Sequence, residues 1–128
     1  KCTHVLMVDD DMVFPPDTLT KLIESGKEVI GVNANSRMLP LKTTVEPLND
    51  DPFPEAIFQV KAVGGGVLLI DMKVFEAIDQ PWFDVETFDF GMTKMGEDSW
   101  FCRKATQAGF GIWCDNTIEI GHIGEYIF

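Results

Sequence analysis

The segment VLMVDDDMVFPPDTLTKL, residues 5–22, sets three aspartates at the end of an apolar run and two prolines shortly behind them. THVLMV (3–8) is apolar almost throughout, which predicts a strand buried on both faces in the middle of an α/β sheet. Adjacent carboxylates repel one another unless a cation or shared protons relieve the cost. Pro15 and Pro16 forbid a continuing strand. Asp17 reads as the N-cap of a helix with Leu19, Leu22 and Ile23 on one face, and Gly26 as its left-handed stop. Ligands of open α/β sheets collect beyond the carboxyl ends of strands, where Asp9, Asp10 and Asp11 fall. Two readings stand side by side. One is a solvated acidic turn with a helix cap. The other is a hard-metal site on Asp9 and Asp11 for Mn²⁺ or Mg²⁺.

Beyond this segment, residues 28–34 predict a strand and residues 35–54 a long polar, proline-containing loop. Residues 56–63 and 66–71 predict strands separated by Gly64, Gly65 and Gly66. Asp71 is placed to cap a short helix over 72–78. Residues 79–95 are irregular and dense in aromatics. A helix opens at about Glu97, shows Phe101, Ala105 and Ala108 on one face, and ends at Gly109. FGIWCD and TIEIGHI close the chain as short strands. The order predicts one α/β domain over 1–128, with a mixed β-sheet flanked by helices.

Ten Lys and Arg against 21 Asp and Glu leave a net charge of −11. That balance argues against a nucleic-acid partner, which needs a basic face. No apolar run reaches the length of a membrane span, and no signal peptide precedes the first strand. Three cysteines without paired spacing predict reduced, mostly buried thiols and a cytoplasmic setting.

Several other residues carry candidate chemistry, each beside an ordinary reading. His122, in EIGHIG, is a metal ligand or a surface histidine. Glu97 and Asp98 open a helix, where the dipole alone favours acids, and either could act as a general base. The three glycines mark a bend or a close approach of backbone to a ligand. Trp82, with Phe83, Phe88 and Phe90, is core or a platform for a sugar ring.

In this order the pieces resemble the GT-A-type nucleotide-sugar glycosyltransferases, family 2 in particular, over nearly the whole chain. VLMVDDDMVFPPDTLTKL looks like the family's strand, D-x-D and proline-led helix. GGGVLLIDMKVFEAI looks like its acceptor-side strand and helix. GEDSWFCRKATQAGFGIWCD looks like its E-D helix, Arg103 position and A-G-aromatic turn, and IGHIG like its terminal histidine. The resemblance implies a partial GT-A fold and inverting, metal-dependent transfer from a nucleotide-sugar donor to an unknown acceptor hydroxyl. It implies that Asp9 lies near the ribose or the metal, with Asp10 beside it as a spacer on the substrate side of the turn. Asp11 and His122 would complete the metal site. Asp98 would be the base, with Glu97 second to it. Gly65, Gly66 and Trp82 would line the acceptor region.

The departure is at the front. The family's nucleobase-holding strand and loop have no counterpart before Thr3. The chain therefore looks like the C-terminal portion of such a domain: a truncated product, a gene fragment, or a part completed by an N-terminal chain or by homo-oligomerisation, with little turnover expected in isolation. Two rivals follow. A non-catalytic remnant that binds a partner or sugar is one. The other is a haloacid-dehalogenase-type phosphatase, whose motif expects Gly and Thr where Met12 and Val13 stand.

Overall fold

A computed structural model describes residues 1–34 and 43–123, the His122 side chain excepted. The chain runs β1 (His4–Val8), β2 (Met12–Val13), α1 (Thr18–Glu24), β3 (Val29–Val32), β4 (Val45–Pro47), β5 (Ile57–Val63) and β6 (Val67–Asp71). It continues α2 (Met72–Ala77), β7 (Glu86–Thr87), β8 (Thr93–Met95), α3 (Glu97–Gln107), β9 (Ile112–Asp115) and β10 (Gly121–His122).

Six strands form one sheet in the order β1-β6-β3-β9-β5-β4. Only the β3/β9 pair is parallel, and the others are antiparallel, so the sheet is mixed as predicted. Side chains alternate across it. Val29, Leu68 and Ile70 face Val74 of α2 and Phe101 and Ala105 of α3, while Ile30, Val67 and Leu69 face Leu22 of α1. Helices thus cover both faces, and β3 and β6 are buried on each side.

The expectation for β1 is corrected in position. It is an outer strand among the described residues, pairing with β6, and its residues are half-buried with Val8 exposed. An apolar sequence reports hydrophobicity, not how many neighbours the strand has. The loop expected over 35–54 contains β4, and its residues 35–42 lie outside the described part. The irregular stretch over 79–95 holds the β7/β8 pair.

Helix ends follow local chemistry with one exception, Asp17. Gly26 (φ 70°) and Gly109 (φ 97°) take the left-handed conformation behind α1 and α3. The Asp71 carboxylate accepts from the Lys73 amide at 2.9 Å and caps α2. Asp17 makes no such cap bond; its carboxylate sits 3.4 Å from Lys21 Nζ. The Thr18 hydroxyl donates to the Pro15 carbonyl instead. Leu22 alone of the expected α1 apolar face is buried, since Leu19 and Ile23 stay exposed. In α3, Phe101 and Ala105 are buried, but Ala108 has reached the exposed C-cap.

Candidate active site at the end of β1

Asp9 leaves the sheet in a tight turn. Its amide donates to the Gly66 carbonyl at 3.0 Å, and its carbonyl accepts from the Met12 amide at 3.3 Å. Asp10 and Asp11 occupy the centre of that turn, Asp10 exposed and Asp11 half-buried. Met12 folds inward and is buried against Gly66: a Cβ on that glycine would stand 3.2 Å from Met12 Cε and Sδ and 3.8 Å from Asp9 Oδ2.

Gly65 adjoins it and belongs to Asp98. Its amide donates to Asp98 Oδ2 at 2.9 Å, and a Cβ there would stand 2.7 Å from Asp98 Oδ1. Neither glycine has a positive φ; at Gly65 the space, not the backbone, requires glycine, whereas at Gly66 the neighbour is the end of a flexible thioether. Gly65 is approached closely by the Asp98 carboxylate and Gly66 by the Met12 thioether, with Asp9 Oδ2 at ordinary contact distance. Asp9 follows β1 and Asp98 opens α3, yet both lie beside consecutive glycines of the β5–β6 link.

α3 holds Asp98 in place. Its N-cap Gly96 is extended and accepts from the Trp100 amide at 3.0 Å, and Glu97 and Asp98 fill the first turn, where the helix dipole favours acids. One turn on, Phe101 is fully buried and stacks on Phe83 at 4.9 Å, so the helix cannot slide. Asp98 lines a cavity of about 220 Å³ with Thr44, Glu46, Gly64 and Ser99. Glu97 is exposed.

His122 approaches Asp11 through the backbone. β10 pairs with β2 so that His122 faces Met12, and the Ile123 amide donates to the Asp11 carbonyl at 2.6 Å. Its side chain lies outside the described part. Among the described residues no group of three or more His, Cys, Asp and Glu side chains is gathered to hold a metal.

Trp82 packs on Phe75 at 5.0 Å, and its indole N–H donates to the Ile78 carbonyl at 3.2 Å, against the core that α2 and α3 share. Phe83 joins the same packing. Phe88 and Phe90 are not core: both are exposed and stack at 5.1 Å in the β7–β8 hairpin. Cys102 and Cys114 are buried thiols, with burial pushing them up to about 11 and about 12, and Cys2 is exposed.

Thr44, Glu46 and Ser99, which line the Asp98 cavity, escaped the sequence reading. Ser99 adjoins the E-D pair and could have been suspected from it. Thr44 and Glu46 come from the long loop and β4, and only strand pairing brings them here. A cleft of about 290 Å³ lined by Leu48, Phe53 and Gln59 contains none of the candidate carboxylates. Among the described residues no helix is long and apolar enough to cross a membrane.

No family model matches the sequence, and no curated protein matches it. Among solved structures the fold is similar to that in the crystal structure of A197 from STIV, with a TM-score of 0.63 over 95% of this chain at 17% identity. The chain spans 58% of the length of that protein, and the likeness is one of fold.

Proposed function

We propose that the chain carries the acceptor-side and metal-side residues of a GT-A-type glycosyltransferase, for inverting transfer of a sugar from a nucleoside-diphosphate sugar to an acceptor hydroxyl. One observation supports this reading: the β5–β6 link places Gly65 against the Asp98 carboxylate, which lines a cavity, and the next glycine, Gly66, where an added Cβ would stand 3.8 Å from Asp9 Oδ2. The two acids then divide the work. Asp98 Oδ1 takes the proton of the acceptor hydroxyl. The acceptor oxygen then bonds to the anomeric carbon as the bond to the diphosphate breaks, and the electron pair leaves with the nucleoside diphosphate.

Asp9 and Asp11 fit a hard divalent ion. Mg²⁺ and Mn²⁺ are held by one or two carboxylates and fill their remaining positions with water and substrate phosphate oxygens. The family resemblance would add His122 to the set; its backbone pairs with Met12, next to Asp11. Mn²⁺ or Mg²⁺, when bound, supplies charge that offsets the departing diphosphate. The half-buried outer strand β1 is where a further strand, from this protein or another chain, would extend the sheet toward a nucleobase pocket.

Calorimetric titration of uridine, guanosine and thymidine diphosphates with and without Mn²⁺ tests the reading. Binding of one of them that requires Mn²⁺ and weakens at least about tenfold in Asp11→Ala is the expected result. Binding indifferent to both the metal and Asp11 overturns it.

A further inference from the structure

The Asp98 cavity does not end at Asp98. It shares Glu46, Ala62 and Ser99 with a second cavity of about 240 Å³ that continues along α3 past Met95 and Arg103 to Thr106. Neither segment alone reaches the ~300–1,000 Å³ usual for small-molecule sites, and joined they do. At about 1.5 Å per residue, Asp98 and Thr106 are about 12 Å apart along the helix, longer than one six-membered ring with its substituents. We propose that this groove is the acceptor site and that its occupant is a neutral glycan of at least two linked sugar rings, whose terminal hydroxyl reaches Asp98.

Three observations select that chemistry. The floor is apolar, Ala62 and Met95, while Ser99, Thr106 and Gln107 add hydroxyl and amide groups at the rim. Sugar rings present the same mixture of C–H faces and hydroxyl edges. The cations lining the groove are already paired: Lys61 Nζ lies 3.2 Å from Glu46 Oε1, and Arg103 Nη1 lies 2.9 Å from Glu86 Oε2. An anionic acceptor would have to break those pairs and approach the Asp98 carboxylate. The groove is also anchored on rigid parts, between α3 and the β4/β5 pair, so its width is set before a ligand arrives.

The acceptor assignment rests on the glycosyl-transfer reading, and the experiment separates the two. Methyl resonances of Ala62 and Met95 are followed by NMR as cellobiose, maltose, glucose and glucose 6-phosphate are added, without metal or nucleotide. Saturable shifts from a disaccharide, at least about threefold tighter than from glucose and weakest for glucose 6-phosphate, are expected. Thr106→Trp, at an exposed helix position, fills the far segment and should weaken disaccharide binding about tenfold while the metal-dependent diphosphate titration is unchanged. Lys61→Leu, which removes the rim pair and leaves the groove open, should weaken it by a smaller factor. Diphosphate binding with no saturable shift at Ala62 and Met95 overturns the groove and spares the transfer reading. So does disaccharide binding that Thr106→Trp leaves intact, or a preference for glucose 6-phosphate. Disaccharide shifts in a protein that binds no nucleoside diphosphate remove the transfer reading and, with it, the role of acceptor.

Discussion

Gly65→Ala is the sharpest probe of the site, because the added methyl meets one thing. Its carbon would stand 2.7 Å from Asp98 Oδ1 and 3.2 Å from Asp98 Cγ, closer than such atoms approach. Alanine adopts the Gly65 backbone without a left-handed penalty, so the strain is all in this contact. Asp98 must turn away, and the 2.9 Å bond from the Gly65 amide goes with it. A hydrogen bond to a charged group contributes about 1.5–3 kcal/mol, and an off-rotamer side chain costs about 0.5–1.5 kcal/mol. Asp98 is half-buried and can reach water, which offsets part of this, so a net loss of about 1–3 kcal/mol is expected. At about 4 °C per kcal/mol for a domain of this size, Tm falls by about 4–12 °C. Gly66→Ala is the control. Its methyl would press on Met12 Cε and Sδ at 3.2 Å, the far end of a flexible thioether, and should cost less than about 1 kcal/mol. Urea unfolding of both variants, with an unchanged m-value, measures the difference. If the proposed glycosyl transfer holds, the displaced carboxylate should also slow nucleoside-diphosphate release about a hundredfold, since a shift of about 1 Å has that effect. A Gly65→Ala protein as stable as wild type, or less damaged than Gly66→Ala, refutes the packing of Asp98 on Gly65.

Asp98→Asn keeps an oxygen for the Gly65 amide, so the unfolding midpoint should hardly move while turnover drops about 10²–10⁴-fold; equal losses of both would make Asp98 structural. Phe101→Ala empties a fully buried site between Phe75 and Phe83 and should cost about 3–5 kcal/mol, read as a shifted urea midpoint. A thiol reagent at neutral pH should modify Cys2 at once and Cys102 and Cys114 only with unfolding, so three equal rates would contradict their burial. Unfolded thiols ionise near 9.0 but the folded Cys102 and Cys114 hold their protons to about 11 and about 12. The folded state then binds more protons above pH 9, and stability should fall as pH rises through that window; a flat profile there would refute it.

The elements that a short stretch determines were legible. Gly109 stops α3 and Asp71 caps α2 because a missing Cβ or a short acceptor acts within a few residues. Asp17 shows the limit of the same reasoning. A capping residue in the right place makes no cap bond, and its carboxylate lies in an ion pair one turn along. Strand order was not legible. HVLMV and VLLID have similar composition, yet one is an outer strand and the other is buried on both faces. β5 and β6 are joined by three glycines, which invites a hairpin, but β3 and β9 lie between them. Pairings over such separations depend on the whole sheet, and no local pattern encodes them. Asp9, Asp11 and Asp98 could be suspected from their types and spacing, whereas Thr44 and Glu46 acquire their place only from β4's pairing with β5.

Register is what turns scattered acids into a site. Val8 faces Val67 in the β1/β6 pair, so the next residue on each strand's line is Asp9 opposite Gly66. That register is held by packing, because Leu69 and Val67 face one core and Leu68 and Ile70 the other. A slip by one residue would turn β1's apolar side chains to the wrong faces. It would also break the bond from the Asp9 amide to the Gly66 carbonyl. The Asp98 end is set independently, through Phe101 and Ala105 in the core on the α3 face. Two separate packing decisions, one on each face of the sheet, therefore converge on adjoining glycines of the β5–β6 link. The carboxylates are tolerated there for a physical reason. Asp98 accepts an amide from the link and sits on a helix N-terminus, and the Asp9 amide ties the acidic turn to the Gly66 carbonyl. The acids do not stabilise β1; the sheet holds them where their charge can be used.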